Sequence, residues 1–242
     1  MLGYIQLEIR RTLRDKTFVV FGIGMPVVMY VLLTNLQSDS DAASMDWKVA
    51  SMVGMAAYGA LSAAIGTGSG VAEDKGLGWL RQLRCTPMSP GRVVVGRGLT
   101  GSVTVLPAIV AVLLVGALLN GVRLDAWQWG ALVVLLWAGT APFTLLGLGN
   151  GYRLSGQSTG LANTGCMLGL SILGGLWFPV EAFPGWLRSL SRWTPSNRFA
   201  DLGRSVTDGH APGLSTVAVL LVWVIVFGGY AVYAYRRAAR TV

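Results

Sequence analysis

Charge is what this chain has least of. Asp, Glu, Lys and Arg together make up 12% of its 242 residues, while 53% are hydrophobic and the mean hydropathy is +0.57. A soluble globular domain carries roughly 25% charged residues, so composition alone places the chain in the membrane class. Lysine is scarcer still: there are three, Lys16, Lys48 and Lys75, and none follows a glycine. That excludes a phosphate-binding loop of the Gly-Lys-Ser/Thr kind and ATP hydrolysis by that route. The single histidine, His210, has no cysteine or second histidine near it, so no zinc site is expected. The two cysteines, Cys85 and Cys166, supply neither a disulfide framework nor metal-ligand spacing. HExxH and paired carboxylates within an apolar run are also missing, so no catalytic residue and no metal ligand is proposed.

What is present is a series of uncharged apolar segments. They predict an all-α membrane protein whose single transmembrane domain, residues 1–242, has six spans, near 17–38, 49–72, 99–119, 130–150, 157–178 and 213–235. Pro26 should kink the first. None of the six contains Asp, Glu, Lys or Arg in its uncharged part. An ionisable group in hydrocarbon costs about 2.5–3.5 kcal/mol on the mildest scale and is kept mainly where protons, ions or charged substrates move. A proton- or sodium-driven carrier would be expected to keep one, so the energy source is expected outside the membrane part. Small residues recur at four-residue spacing in Gly66 and Gly70, Gly147 and Gly151, and Gly165 and Gly169, which suits close helix packing or a dimer face. Gly66, Gly68 and Gly70 lie in an apolar helix with no preceding strand, so they read as packing residues rather than a nucleotide loop.

The formal net charge of +8 fits cytoplasmic loops that fix membrane orientation, and no nucleic-acid partner is expected. Thirteen Lys and Arg fall on the side that holds both termini and 73–98, against six on the other, so both termini are expected in the cytoplasm. Residues 1–16 place Leu2, Ile5, Ile9 and Leu13 near helical spacing against Arg10, Arg11, Arg14 and Lys16. This fits either an amphipathic helix on the membrane surface or an extension of the first span. Between spans five and six, 181–212 mixes Pro, Trp and Arg with apolar residues and fits a pair of short helices at the membrane edge.

The longest polar interruption in the first half is Glu73 to Pro90. Gly76, Trp79, Leu80 and Leu83 fall on one face of a helix that Pro87 ends, and Glu73 and Asp74 are expected at its N-terminus, where the dipole favours carboxylates. Ser89 and Pro90 then read as the N-cap and first turn of the next helix. From the residues alone, this is either a connector at the membrane surface or a docking helix.

An acidic residue, a glycine, a helical leucine pair and Thr-Pro-x-Ser, directly after the second of six spans, resemble the coupling helix of ABC type-2 exporter permeases. The run from Gly175 through Phe178-Pro179, Glu181, Pro184 and Trp186-Leu187 to Trp193-Thr194-Pro195 resembles the segment after the fifth span of that family. The resemblance implies a bacterial plasma-membrane permease pairing with a second copy of itself and with two copies of an ABC ATPase subunit, which bind ATP and Mg; the chain itself would hold no cofactor. It implies that Glu73, Asp74, Gly76, Trp79, Leu80, Leu83, Thr86 and Pro87 contact that ATPase. Phe178, Pro179, Glu181, Pro184 and Trp186 would shape an outer gate formed by re-entrant helices. The implied cargo is an amphipathic or hydrophobic compound such as a drug, antibiotic or lipid-like molecule. The alternatives are a polysaccharide or teichoic-acid exporter on the same fold, or a membrane scaffold or sensor partner without transport.

Overall fold

The computed structural model describes residues 18–35, 44–76, 90–177, 180 and 183–241. Every regular element among them is helical. A π-helical turn, Phe18–Gly24, leads into α1 (Met25–Asn35). The change of winding falls next to Pro26, which has no N–H to continue the ladder. Then follow α2 (Met45–Gly76), α3 (Pro90–Val103), α4 (Leu106–Leu118), α5 (Ala126–Gly139) and α6 (Ala141–Arg153). Next come α7 (Gly156–Leu173), α8 (Gly185–Ser191), α9 (Pro195–Thr207) and α10 (Leu214–Thr241).

Among the described residues, four helical stretches are long and apolar enough to cross a membrane: Met45–Gly76, Val94–Leu118, Ala126–Arg153 and Leu214–Ala239. At the expected first span stands a shorter apolar helix, Gly22–Asn35, and α7, at the expected fifth, is not among the four. Two of the long stretches are interrupted. At Thr104–Val105 the backbone turns with N–H groups bonding three residues back, to Gly101 and Ser102, and Pro107 follows in the first turn of α4. At Thr140 the amide bonds the Trp137 carbonyl, and Pro142 opens α6. In both places a proline N–H is missing and its ring would clash with the carbonyl four residues earlier, so the helix restarts.

α2 is the axis of the bundle. Of its most apolar window 78% is buried, against 17% for α10 at the periphery. Its side chains Met52, Met55, Leu61 and Ile65 form one hydrophobic core with Tyr30, Ile109, Leu132, Leu136, Phe143 and Phe199 from α1, α4, α5, α6 and α9. A second core joins Val71, Val94, Leu148, Tyr152, Ala231 and Tyr235, from α2, α3, α6 and α10. α6 runs against α2 through glycines: a Cβ on Gly68 would strike the Gly147 backbone, one on Gly147 the Ile65 backbone, and one on Gly151 the Gly68 backbone. Of the three expected glycine pairs, only Gly147 and Gly151 make such a crossing, and their partner is Gly68. Gly66, Gly70, Gly165 and Gly169 have no atom within 4 Å of an added Cβ.

Candidate functional site

The end of the bundle where α2 finishes is the one adjoining the proposed docking stretch. Glu73, Asp74 and Gly76 lie together there, but as the last turn of α2 rather than the first turn of a separate helix. The difference has a physical cause. A carboxylate at a helix C-terminus is disfavoured by the dipole, and Asp74 is held instead by an ion pair with Arg97 of α3, both side chains half-buried. Lys75 turns the other way. Its Nζ donates to the Tyr152 carbonyl at 3.0 Å and the Leu154 carbonyl at 2.5 Å, capping the C-terminal end of α6 where carbonyls lack intrahelical donors. Tyr152 is buried and packs edge-on against Tyr235 of α10, with ring centroids 5.2 Å apart. The last turn of α2 is thus tied directly to α3 and α6 and, through Tyr152, to α10. Trp79, Leu80, Leu83, Thr86 and Pro87 lie outside the described residues. α3 is described from Pro90 onward, and Ser89, its expected N-cap, lies outside the described residues.

About two turns into the bundle from Lys75 is a polar network that charge counting did not flag. Tyr230 of α10 donates to Asn150 Oδ1 at 3.0 Å, and Asn150 Nδ2 donates to Asn163 Oδ1 of α7 at 3.0 Å. Asn163 Nδ2 donates in turn to the Ile65 carbonyl of α2 at 3.1 Å and to Ser69 Oγ at 3.4 Å. Both asparagines are buried. Four helices are joined by neutral groups, which hydrocarbon tolerates only when they pair with one another. An asparagine within each of two uncharged apolar segments was the available signal.

At the opposite end α8 and α9 form the expected pair of short helices. α9 starts where Thr194 Oγ accepts from the Asn197 amide, with Pro195 in the first turn. Asn197 Nδ2 reaches the Gly174 carbonyl at 3.3 Å, and Gly175 takes φ 66°, a turn only glycine makes without strain. Gln128 of α5 closes the other end of α9, donating to the Val206 carbonyl at 2.8 Å, while its Oε1 accepts from the Asp125 amide at 2.8 Å. Asp201 sits between Arg198 and Arg204, at 3.4 and 3.0 Å. Of the proposed gate residues, Pro184 precedes α8 and Trp186 stands in its first turn, both exposed. Phe178, Pro179 and Glu181 lie outside the described residues. Trp177, one residue earlier, packs edge-on against Tyr58 of α2 at 5.4 Å.

Comparison with known proteins bears on what this arrangement serves. The chain is 27% identical to the "Putative transport permease YvfS" of Bacillus subtilis (strain 168) over 233 residues, covering 95% of this chain and 94% of that protein. Residues 4–207 match the family described as ABC-2 type transporter. The chain therefore belongs to the ABC-2 type transporter family and is a membrane transport permease.

Proposed function

We propose that this chain is the permease subunit of an ATP-driven exporter, moving an amphipathic or hydrophobic compound outward across a bacterial plasma membrane. Two copies pair with each other and with two copies of a separate ABC ATPase that binds ATP and Mg. The six-span layout, cytoplasmic termini and a coupling segment over Glu73–Pro90 belong to this reading. The observation that carries it is the last turn of α2. Asp74 grips α3 through Arg97, and Lys75 grips the end of α6, so a push arriving just after Gly76 would move several helices together. A surface connector without a partner would have no need of such ties. The chain has no phosphate loop of its own, which suits work supplied by another subunit.

The test is co-purification of the ATPase with the permease from the native host. Leu80→Asp or Trp79→Asp should release the ATPase while the permease still inserts in the membrane. Retention of the ATPase by both variants would remove the docking role. ATP turnover stimulated by a lipid-linked glycan, and by no amphipathic compound, would assign the polysaccharide reading instead.

A further inference from the structure

We infer that the groove between α3 and the α5–α6 junction holds one acyl chain of a membrane phospholipid. The groove encloses about 330 Å³ and is walled by Val95 and Leu99 on one side and Trp137, Ala141 and Leu145 on the other. It exists because both helical stretches are interrupted at this level, at Thr104 and Thr140, so their walls do not close on each other. Val95 and Leu99 are 58% and 64% exposed, so the opening faces sideways out of the bundle rather than into it.

The chemistry of the wall selects hydrocarbon. Each side-chain donor is already engaged: Ser102 Oγ with the Leu99 carbonyl at 2.9 Å, Thr140 Oγ with that of Trp137 at 2.6 Å and Thr144 Oγ with that of Thr140 at 3.2 Å. The Trp137 indole donates to the Ser102 carbonyl at 3.0 Å, across the base of the groove. An occupant with polar groups would find no partner and would lose their hydration. An extended peptide would bury unpaired amides. A single acyl chain meets neither objection, and the volume is at the lower end of that of small-ligand pockets. Charge sets its direction. Leu145 stands about 12 Å along α6 from Arg153, which is exposed, and Arg236 of α10 is exposed at the same end of the bundle. A phosphate would sit at that level when the chain beneath it enters the groove.

The experiment uses the full-length protein in nanodiscs of dioleoyl phosphatidylcholine, with a growing fraction of the same lipid brominated at mid-chain. Tryptophan emission is recorded for the wild type and for Trp137→Phe, the difference being the share of Trp137. It is repeated in Gly98→Leu and Ala141→Leu, which fill the groove; a Cβ on Gly98 meets only Leu148, at 3.9 Å. The expected result is loss of at least half of the Trp137 emission in brominated lipid, with that loss reduced two-fold or more in both filled variants. Should Trp137→Phe not fold, the change in total quenching between wild type and Ala141→Leu is read alone, with the same expectation. Unquenched Trp137 in the wild type would mean that protein covers the groove, and equal quenching in the filled variants would mean that lipid passes over it without entering. Either result overturns the assignment.

Discussion

Replacing Gly147 with alanine adds a single methyl group where α6 crosses α2, against the backbone carbonyl of Ile65. The new Cβ would lie well inside the 3.5–4.0 Å of favourable contact, and a helical carbonyl cannot rotate aside, so α6 must move away. Overpacking of this kind costs about 1–3 kcal/mol. Against it stands the gain in helix propensity from Gly to Ala, about 1 kcal/mol. The net effect at Gly147 is thus a loss of up to about 2 kcal/mol. Gly66 of α2 provides the internal comparison, because nothing lies within 4 Å of its added Cβ. Only the propensity gain applies there, so Gly66→Ala should be stabilising by up to about 1 kcal/mol. The assay is unfolding by sodium dodecyl sulfate in bicelles, followed by far-UV circular dichroism. The two midpoints should shift in opposite directions; a Gly147→Ala protein as stable as Gly66→Ala would refute the close crossing.

Three further outcomes follow from the same contacts. Asn163→Leu removes its bonds to Asn150, Ile65 and Ser69. At about 0.6 kcal/mol per bond within a membrane, the bicelle unfolding assay should show a loss of about 1–2 kcal/mol. Gln128→Leu strips the cap from the C-terminal end of α9 and should cost about 1–3 kcal/mol, read as earlier protease cleavage near Thr207 without loss of membrane insertion. For the orientation, Ser89→Cys in a chain otherwise free of cysteine should resist an impermeant maleimide in intact cells and react once the membrane is opened; labelling of intact cells would reverse the topology.

The features legible in the sequence are those fixed within a few residues. Uncharged runs placed helices, and the mix of Pro, Trp and Arg over 181–212 placed the short helices α8 and α9, because hydropathy and proline act locally. The end of α2 was not legible in this way. Glu73, Asp74 and Lys75 read as leaving the apolar segment, yet the helix continues to Gly76 because their partners are Arg97, Tyr152 and Leu154, brought near only by folding. The glycine crossing shows the same limit: spacing picked out Gly66 and Gly70, whereas the fold uses Gly68 between them, since which face of α2 meets α6 is a tertiary matter. Asn150, Asn163 and Gln128 escaped notice because they are neutral, although neutral amides are the groups that can join helices in hydrocarbon at low cost. For the proposed docking stretch, sequence and structure meet at Gly76.

The central claim is that the last turn of α2 hands movement to its neighbours, and reversing one ion pair tests it most directly. The quantity measured is the permease-dependent stimulation of ATP turnover in the complex with its ATPase. Asp74→Arg places two cations together, and Arg97→Asp two carboxylates. Each alone should lower the stimulation several-fold while the complex stays assembled, since the half-exposed pair is worth only about 1 kcal/mol of stability. The double variant, Asp74→Arg with Arg97→Asp, should recover most of it. Wild-type stimulation in both single variants, or a double variant no better than either, would contradict the account.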